Sequence, residues 1–200
     1  MNDNLPSIYI ARHGETAWSL SGQHTGLTDL PLTEQGRKNA AQLGVRLHEL
    51  QLQFVKVFTS PLKRAATTCE LAGYGAVAER EPDLVEWNYG DYEGLRTVEI
   101  HAKRPAWELF RDGCPGGESP QQVGARADRV IKRLREVNGN VLVFSSGHFI
   151  RTMAARWLTL DPSGGRFFVL STASFSALGY ENNLAHPAVK LWNDTSHLMG

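Results

Sequence analysis

The chain has 200 residues, 42% of them hydrophobic and 21% charged, and its 21 lysine and arginine residues balance its 21 aspartate and glutamate residues. This length and composition are typical of a globular protein, and we expect residues 1–200 to form a single domain. Zero net charge argues against a general nucleic-acid binder, which normally carries a basic excess, and no apolar run is long enough to predict a membrane span.

The first predicted strand, residues 7–11, ends directly before Arg12, His13 and Gly14. Ligands of open α/β sheets bind at the carboxyl ends of strands. Arg12 at that point indicates a phosphate or carboxylate ligand, because its fork of donors matches those oxygens. His13 is a candidate nucleophile, base or hydrogen-bond donor, and Gly14 allows the backbone to approach the ligand closely.

A long polar loop without regular structure is predicted over residues 15–31. Loops of this length are usually functional or disordered. The candidate ligand donors in the loop are the hydroxyls of Ser19 and Thr25 and the backbone of Gly26. The alternative interpretation is that Thr25 and Gly26 form a simple turn.

A helix over residues 33–50 and a strand over residues 54–58 come next. Ser60 is a suitable N-cap and Pro61 a suitable first helical residue, so another helix is predicted to begin there. This helix places Arg64 one turn beyond a second strand end. Arg64 is therefore a candidate second phosphate ligand, and a solvated helix charge is the alternative.

A weak strand at residues 76–79 precedes an aromatic, acidic and glycine-bearing segment at residues 88–94, which indicates the wall of a site. Glu86 stands between Val85 and Trp87. Its carboxyl group is therefore predicted to be buried, which suits a general acid. The alternative is a surface glutamate at a strand end.

Two helical segments follow. Residues 97–111 predict one or two short helices broken at Pro105, and a capping box at Ser119 predicts a helix to about residue 137. The second of these has an apolar face. Its basic residues are interpreted as its solvated face: Arg126, Arg129, Lys132, Arg133 and Arg135.

The most strand-like run of the chain, residues 141–144, is continuously apolar, as expected of a central parallel strand buried on both faces. It leads to Ser146 and Gly147 and to a helix predicted over residues 149–160, whose N-terminus attracts anions. Residues 167–192 predict two or three more strands. Strands that alternate with helices indicate an α/β fold with a mostly parallel sheet.

The three strand ends are predicted to converge on one anion. Arg12 and Arg64 would then neutralise a phosphoryl group in its transition state. His13 could attack phosphorus, because neutral imidazole is a good nucleophile near pH 7. Glu86 would protonate the leaving oxygen and later activate water. No step of this scheme needs a metal ion or another cofactor.

The same motifs, at residues 12–16, 25–29, 32–36, 60–65, 86–90 and 116–119, together resemble the histidine phosphatase (phosphoglycerate mutase-like) superfamily. The resemblance implies a three-layer αβα sandwich with a mostly parallel central sheet. It implies His13 as the phosphorylated nucleophile, Arg12 and Arg64 as phosphate ligands, and Glu86 as proton donor and acceptor. It also implies substrate contacts from three residues of the first loop: Ser19, Thr25 and Gly26.

Within that superfamily the chain is most similar to the small phosphatases, in the branch that resembles sedoheptulose-bisphosphatase-like and bacterial acid phosphatases. The mutases carry a longer basic insertion, whereas here that region is short, with Lys103 and Arg104 as its main cations. A protein that cannot retain the intermediate loses the phosphoryl group to water. The expected activity is therefore hydrolysis of small phosphorylated metabolites, chiefly sugar phosphates. Gln23, His24 and Tyr89 are expected to contact the substrate and, together with Trp107, to determine which substrate is bound.

Ser146 departs from the family pattern, which has histidine directly before the glycine that follows the central strand. Ser146 and Gly147 are still expected to bind phosphate, and no role is assigned to His148. Three explanations of this serine stay open. It is a natural divergence in which the Ser146 hydroxyl acts as the donor, a substitution made to trap a ligand, or the mark of a weakly active relative. A charge-assisted donor at such a position is worth about 2–4 kcal/mol of transition-state stabilisation.

Three other functions stay open. The first is a phosphoglycerate-type mutase, and the second is a phosphate-binding pseudoenzyme, suggested by Ser146. A metal site built from His13, His24 and His148 is disfavoured, because these residues lack tight ligand spacing.

The expected partner is a small metabolite, and homodimer formation is left open. Two cysteines without a CxxC motif and the lack of a signal peptide predict a cytoplasmic protein with reduced thiols.

Overall fold

The computed structural model describes residues 5–199. Its strands are β1 (Ile8–Arg12), β2 (Lys56–Thr59), β3 (Ala78–Arg80), β4 (Val141–Ser145), β5 (Phe175–Tyr180) and β6 (Pro187–Asp194). Its α-helices are α1 (Ala17–Ser21), α2 (Glu34–Glu49), α3 (Lys63–Leu71), α4 (Thr97–Lys103), α5 (Leu109–Asp112), α6 (Pro120–Arg135) and α7 (Gly147–Trp157).

The six strands form one sheet in the order β3-β2-β4-β1-β5-β6. Strand β4 lies between β1 and β2 and pairs with both in parallel, and β3 pairs in parallel with β2. Strand β5 is antiparallel to β1, and β6 is antiparallel to β5. All residues of β4 are buried, as predicted for a central strand. The predicted α/β fold with a mostly parallel sheet is confirmed.

Helices cover both faces of the sheet. Successive side chains of a strand point to opposite faces. Val141 and Val143 of β4 therefore belong to the core that includes the buried residues of α6 and α7, whereas Leu142 and Phe144 belong to the core that includes those of α2 and α3. This is the three-layer αβα arrangement that the family resemblance implies.

Two predicted helix starts are confirmed by their capping contacts. Thr33 Oγ1 accepts a hydrogen bond from the Gly36 backbone N–H (2.9 Å), and α2 begins at the next residue. Ser119 and Gln122 form the predicted capping box of α6, with the Gln122 N–H bonded to Ser119 Oγ at 3.2 Å. Local side-chain chemistry is sufficient to locate these two starts.

The prediction that residues 15–31 lack regular structure is wrong at one place, because α1 lies within this segment. Thr16 and Ser19 form a capping box: the Ser19 N–H donates to Thr16 Oγ1 (3.1 Å), and the Thr16 N–H donates to Ser19 Oγ (2.8 Å). The motif was missed because serine takes the place of the usual glutamate or glutamine.

Several predicted boundaries are also shifted. Helix α3 begins at Lys63 instead of at Pro61, and Ser60 Oγ accepts from the Leu62 N–H (3.3 Å) without capping the helix. The strand predicted over residues 54–58 is β2, whose bounds follow its pairing with β4. The weak strand predicted at residues 76–79 consists of a 3₁₀ turn followed by β3.

The C-terminal part differs in similar ways. Helix α7 begins at Gly147, two residues before its predicted start, because the Ile150 N–H already bonds to the Ser146 carbonyl (3.0 Å). Of residues 167–192, only β5 and most of β6 are strand, while Phe167 ends a 3₁₀ helix. Residues 97–111 contain α4 and most of α5.

Candidate active site

A cavity of about 280 Å³ lies at the carboxyl ends of the neighbouring strands β1, β2 and β4. This is the predicted convergence point of the three strand ends. The predicted site residues that line the cavity are Arg12, His13, Ser19, Gln23, His24, Thr25, Arg64, Glu86, Tyr89 and Gly147. Gly26 and Ser146, which were also predicted, are not among the residues that line this cavity.

His13 follows β1 and is 3% exposed. Its backbone N–H donates to the Ser145 carbonyl on β4 (3.0 Å), and the ring Nδ1 contacts the Gly14 carbonyl oxygen at 2.7 Å. Because a carbonyl oxygen can only accept, Nδ1 carries the proton and Nε2 keeps its lone pair. Burial, followed by the charges of Arg64 and Arg12, lowers the pKa of His13 well below 6.5. His13 is therefore a neutral imidazole at neutral pH, which a nucleophile requires.

This lowered pKa predicts that His13 stays mostly neutral at pH 6.5, where a free histidine is half protonated. A ¹⁵N NMR titration of the folded protein measures the protonation of His13, and half protonation at or above pH 6.5 would contradict the assigned environment.

The same pKa shift makes the stability of the protein depend on pH. Below pH 6.5 the unfolded chain binds more protons at this residue than the folded protein does. The stability that His13 contributes is therefore present above pH 6.5 and is lost as the pH falls toward the folded-state pKa.

Arg12 and Arg64 carry the positive charges that lower the pKa of His13, and both guanidinium groups are held by backbone carbonyls. Arg12 Nη1 donates to the Leu170 carbonyl at 2.6 Å. Arg64 is fully buried and donates from Nη2 to the Gly26 carbonyl (2.7 Å) and from Nη1 to the neighbouring loop backbone. Gly26 therefore orients Arg64 instead of lining the cavity. Burial lowers the pKa of both arginines below its ordinary value, but a guanidinium remains charged at neutral pH.

Three buried polar atoms close to this centre have no hydrogen-bond partner among residues 5–199: Arg12 Nε, Arg64 Nε and Ser146 Oγ. Buried polar groups are almost always hydrogen-bonded in folded proteins. Two cationic donors and a hydroxyl without partners therefore indicate a site for an anion. Gly147 fits closely against the same group, because an added Cβ would lie 3.1 Å from the Arg12 guanidinium carbon.

Glu86 is 6% exposed, and its carboxylate lies at the N-terminus of α7. Oε1 accepts from the backbone N–H groups of Trp87 (2.9 Å) and Phe149 (2.8 Å), and Oε2 accepts from that of His148 (3.1 Å). A carboxylate is favoured at a helix N-terminus, where N–H groups lack intrahelical partners. These contacts fix Glu86 at the edge of the cavity.

Arg126 corrects the prediction that the basic residues of α6 are all solvated, because it is 6% exposed. Its Nη1 donates to the carbonyls of Asp83 (2.8 Å) and Val85 (2.6 Å), and its Nη2 donates to that of Glu86 (3.2 Å). It also forms a two-point ion pair with the Glu118 carboxylate. Arg126 therefore clamps the backbone segment that carries Glu86. The sequence contained the signal, since position 126 lies on the apolar face of α6.

We expect Arg126→Met to destabilise the protein by about 3–5 kcal/mol, because it leaves the Glu118 carboxylate and three carbonyls without their cation. Urea unfolding measures this loss. The matched control is Arg129→Met on the same helix, whose side chain is 61% exposed and pairs with Asp83. Its effect should be much smaller. Equal effects of the two substitutions would contradict the clamp.

Sequence reasoning missed part of the cavity wall. Arg151 lines the cavity, lies 4.7 Å above the Phe110 ring and donates from Nε to the Gly165 carbonyl (3.2 Å). It lies three residues after His148 on α7, a spacing that places both on one face of the helix and could have revealed it. The remaining residues of the wall that were not predicted to contact the ligand are Trp18, Gly22, Thr97, His148 and Leu170.

Gln23, His24 and Tyr89 form one wall of the cavity. Contacts between rings and a hydrogen bond of Gln23 hold these side chains in place. The His24 ring lies 4.8 Å from the Tyr89 ring and 5.7 Å from that of Trp107. Gln23 Nε2 donates to the Gly94 carbonyl at 2.8 Å. Burial lowers the pKa of His24, so this wall is neutral at neutral pH. It suits the carbon-bearing part of a ligand better than its charged part.

Within residues 5–199, no group of three or more histidine, cysteine, aspartate or glutamate side chains is arranged to hold a metal ion. None of the helices in this described part combines the length and apolar character that crossing a membrane requires.

Residues 8–195 match the sequence model of the histidine phosphatase superfamily (branch 1). The chain belongs to this superfamily. Its curated relatives include an acid phosphatase of Mycobacterium tuberculosis, 42% identical over 91% of this chain and 90% of the relative. A sedoheptulose 1,7-bisphosphatase of Saccharomyces cerevisiae is 38% identical over 78% of this chain and 68% of that protein. A 2,3-bisphosphoglycerate-dependent phosphoglycerate mutase 2 of Gloeobacter violaceus is 33% identical over 78% and 77% of the two chains.

Solved structures agree with this membership. An open reading frame product of Mycobacterium tuberculosis superposes with a TM-score of 0.90 at 39% identity, covering 94% of this chain and 97% of the other. A mycobacterial glucosyl-3-phosphoglycerate phosphatase in complex with VO₃ superposes with a TM-score of 0.83 at 25% identity, covering 95% and 100%. The protein is thus an enzyme of the histidine phosphatase superfamily. The relatives to which it is similar include proteins named as phosphatases.

Proposed function

We propose that this histidine phosphatase is a metal-independent phosphomonoesterase that hydrolyses small phosphorylated metabolites, chiefly sugar phosphates, through a phosphohistidine on His13. One observation carries the proposal. His13 is a buried neutral imidazole, and the nearby guanidinium groups of Arg12 and Arg64 each keep a buried Nε without a partner among residues 5–199. A nucleophile beside free cationic donors is what phosphoryl transfer demands.

In the first proposed step, His13 Nε2 attacks phosphorus, an N–P bond forms and the P–O bond to the leaving group breaks. The electron pair of that bond goes to the leaving oxygen, which takes the proton that the carboxyl group of Glu86 carries at the start of this step, and Glu86 becomes a carboxylate. Arg12 and Arg64 stabilise the charge on the non-bridging oxygens. In the second step, Glu86 takes a proton from water, the water oxygen attacks phosphorus and the N–P bond breaks. Phosphate leaves, His13 is neutral again, and Glu86 is again protonated.

Two observations support a small metabolite as the substrate. A cavity of about 280 Å³ exceeds what one phosphoryl group fills, and its further wall carries the rings of His24 and Tyr89. Relatives named acid phosphatase, sedoheptulose 1,7-bisphosphatase and glucosyl-3-phosphoglycerate phosphatase are in keeping with this class. We further propose that the enzyme acts in the cytoplasm, since Cys69 and Cys114 are both free thiols.

Two alternatives have an observation in their favour. Relatives named phosphoglycerate mutase keep a mutase activity open, and isomerisation of phosphoglycerate primed with 2,3-bisphosphoglycerate separates it from hydrolysis. Ser146, at the position where the family pattern has histidine, favours a protein that binds phosphate without turnover. A hydrolysis screen over phosphorylated metabolites tests the proposal against both, because only a phosphomonoesterase releases phosphate steadily.

Glu86→Gln should lower the steady-state hydrolysis of an alkyl phosphate by about 10²–10⁴-fold, because the alkoxide then leaves without a proton. With p-nitrophenyl phosphate, whose leaving group needs no proton, the first step should survive. Stopped-flow absorbance should therefore show a burst of one nitrophenolate per active site, followed by slow turnover. An equal loss with both substrates and no burst would remove Glu86 from the acid role.

A further inference from the structure

Tyr89 and His148 are joined by a hydrogen bond between the Tyr89 hydroxyl and His148 Nδ1, at 2.5 Å. Tyr89 is 2% exposed, and within residues 5–199 its hydroxyl has no other hydrogen-bond partner. A buried phenol needs an acceptor for its proton. The imidazole nitrogen is the acceptor that the structure provides.

The electrostatics of the pair agree with this direction. Burial raises the pKa of Tyr89 well above 10, and burial together with the charge of Arg151 lowers the pKa of His148 well below 6.5. At neutral pH the phenol keeps its proton and the imidazole is neutral. The Tyr89 O–H therefore donates to Nδ1, and the single ring proton of His148 lies on Nε2.

The His148 side chain also lies at the cavity. His148 is half-buried, with its ring 5.5 Å from that of Phe110 and 6.1 Å from that of His24, and it lines the same cavity as His13. Nδ1 is occupied by Tyr89. Nε2 has no hydrogen-bond partner among the described residues, so its N–H is available to a ligand.

The position of Glu86 tells which part of the ligand this donor meets. The Glu86 carboxyl group, whose proton goes to the leaving oxygen in the proposed function, accepts a hydrogen bond from the His148 backbone N–H at 3.1 Å. His148 thus lies on the leaving-group side of the cavity. Its neighbours there, His24, Tyr89 and Thr97, present neutral rings and a hydroxyl group, which suit a polyhydroxylated molecule.

We propose that Tyr89 holds His148 as an Nε2–H donor and that this donor binds an oxygen of the leaving group, which makes His148 a specificity-determining residue and Tyr89 the residue that positions its proton. The choice of a hydroxylated leaving group rests on the proposed function, whereas the state of the imidazole does not. The two parts are therefore tested separately.

The first test is ¹⁵N NMR of the imidazole rings at neutral pH, with the His148 signals assigned by their loss in His148→Gln. We expect His148 to show a protonated Nε2 and an unprotonated Nδ1. Tyr89→Phe should give a mixture of both tautomers. Tyr92→Phe is the matched control, since Tyr92 lies in the same segment and its hydroxyl has no partner among the described residues, and it should leave the pattern unchanged. A protonated Nδ1 in the unaltered protein, or no response to Tyr89→Phe, would overturn the assignment.

The second test measures binding by calorimetry in a His13→Ala background, so that its outcome does not depend on turnover. The probes are glucose 6-phosphate and phenyl phosphate, which lacks hydroxyl groups. His148→Leu should weaken glucose 6-phosphate relative to phenyl phosphate by about 3- to 10-fold, the value of one hydrogen bond. His148→Gln, which keeps an N–H near the Nε2 position, should restore most of this ratio. Equal weakening of both probes would assign the donor to the phosphoryl group, and no weakening of either would remove it from the site.

Discussion

His13→Ala should lower kcat for phosphate-ester hydrolysis by more than about 10³-fold, the scale seen when a covalent nucleophile is removed. The substitution removes the only atom, Nε2, that accepts the phosphoryl group in the proposed mechanism. Inorganic phosphate should still bind, because the guanidinium groups of Arg12 and Arg64 remain in place. Steady-state hydrolysis of p-nitrophenyl phosphate, with calorimetry for phosphate binding, measures both effects.

The control for this substitution is His48→Ala, which changes an exposed histidine near the end of α2, away from the cavity. Its kcat should match that of the unaltered protein. If His13→Ala retained full activity, the nucleophile would have to be another group and the proposed first step would be wrong. Loss of phosphate binding together with turnover would instead point to a collapsed site.

Ser146→His should raise kcat by about 30- to 1000-fold, which corresponds to the 2–4 kcal/mol that one donor to the developing charge contributes. Ser146 is buried at the N-cap of α7, and its Oγ has no partner among residues 5–199. Arg12 Nε, which also lacks a partner among these residues, lies beside the next residue, since a Cβ added at Gly147 would be 3.1 Å from it. An imidazole at position 146 therefore adds a donor where the phosphoryl oxygens are proposed to lie.

The matched control for this gain is Ser146→Ala, which removes the hydroxyl without adding a donor and should not raise kcat. Thermal unfolding of each variant shows whether the larger imidazole is accommodated. A folded Ser146→His protein with unchanged kcat would contradict the view that the site lacks one donor. Turnover that appears only in Ser146→His would instead favour a phosphate-binding protein that has lost its activity.

Much of the proposed phosphate site could be predicted from sequence because its residues directly follow strands. Arg12 and His13 come at the end of β1, and Ser146 and Gly147 come at the end of β4, which is its parallel neighbour. In a parallel sheet such ends lie at one edge. The spacing of Arg64 beyond β2 obeys the same rule, and the cavity includes Arg12, His13, Arg64 and Gly147.

The parts that sequence did not predict depend on contacts between distant segments. Arg126 is buried only because the backbone at residues 83–86 offers it three carbonyls. Arg151 lines the cavity because α7 directs this face toward the aromatic wall. The bond between Tyr89 and His148 joins residues 59 positions apart, and no local pattern indicates such a pairing. These features follow from tertiary packing, which residue spacing does not record.

Mass spectrometry of the enzyme, quenched at alkaline pH during turnover of p-nitrophenyl phosphate, shows most directly whether His13 carries the phosphoryl group. We expect one phosphoryl group per chain, on His13, that survives base and is lost in acid, as is usual for a phosphoramidate. Steady turnover with an unmodified His13, or a phosphoryl group found on another residue, would contradict this expectation.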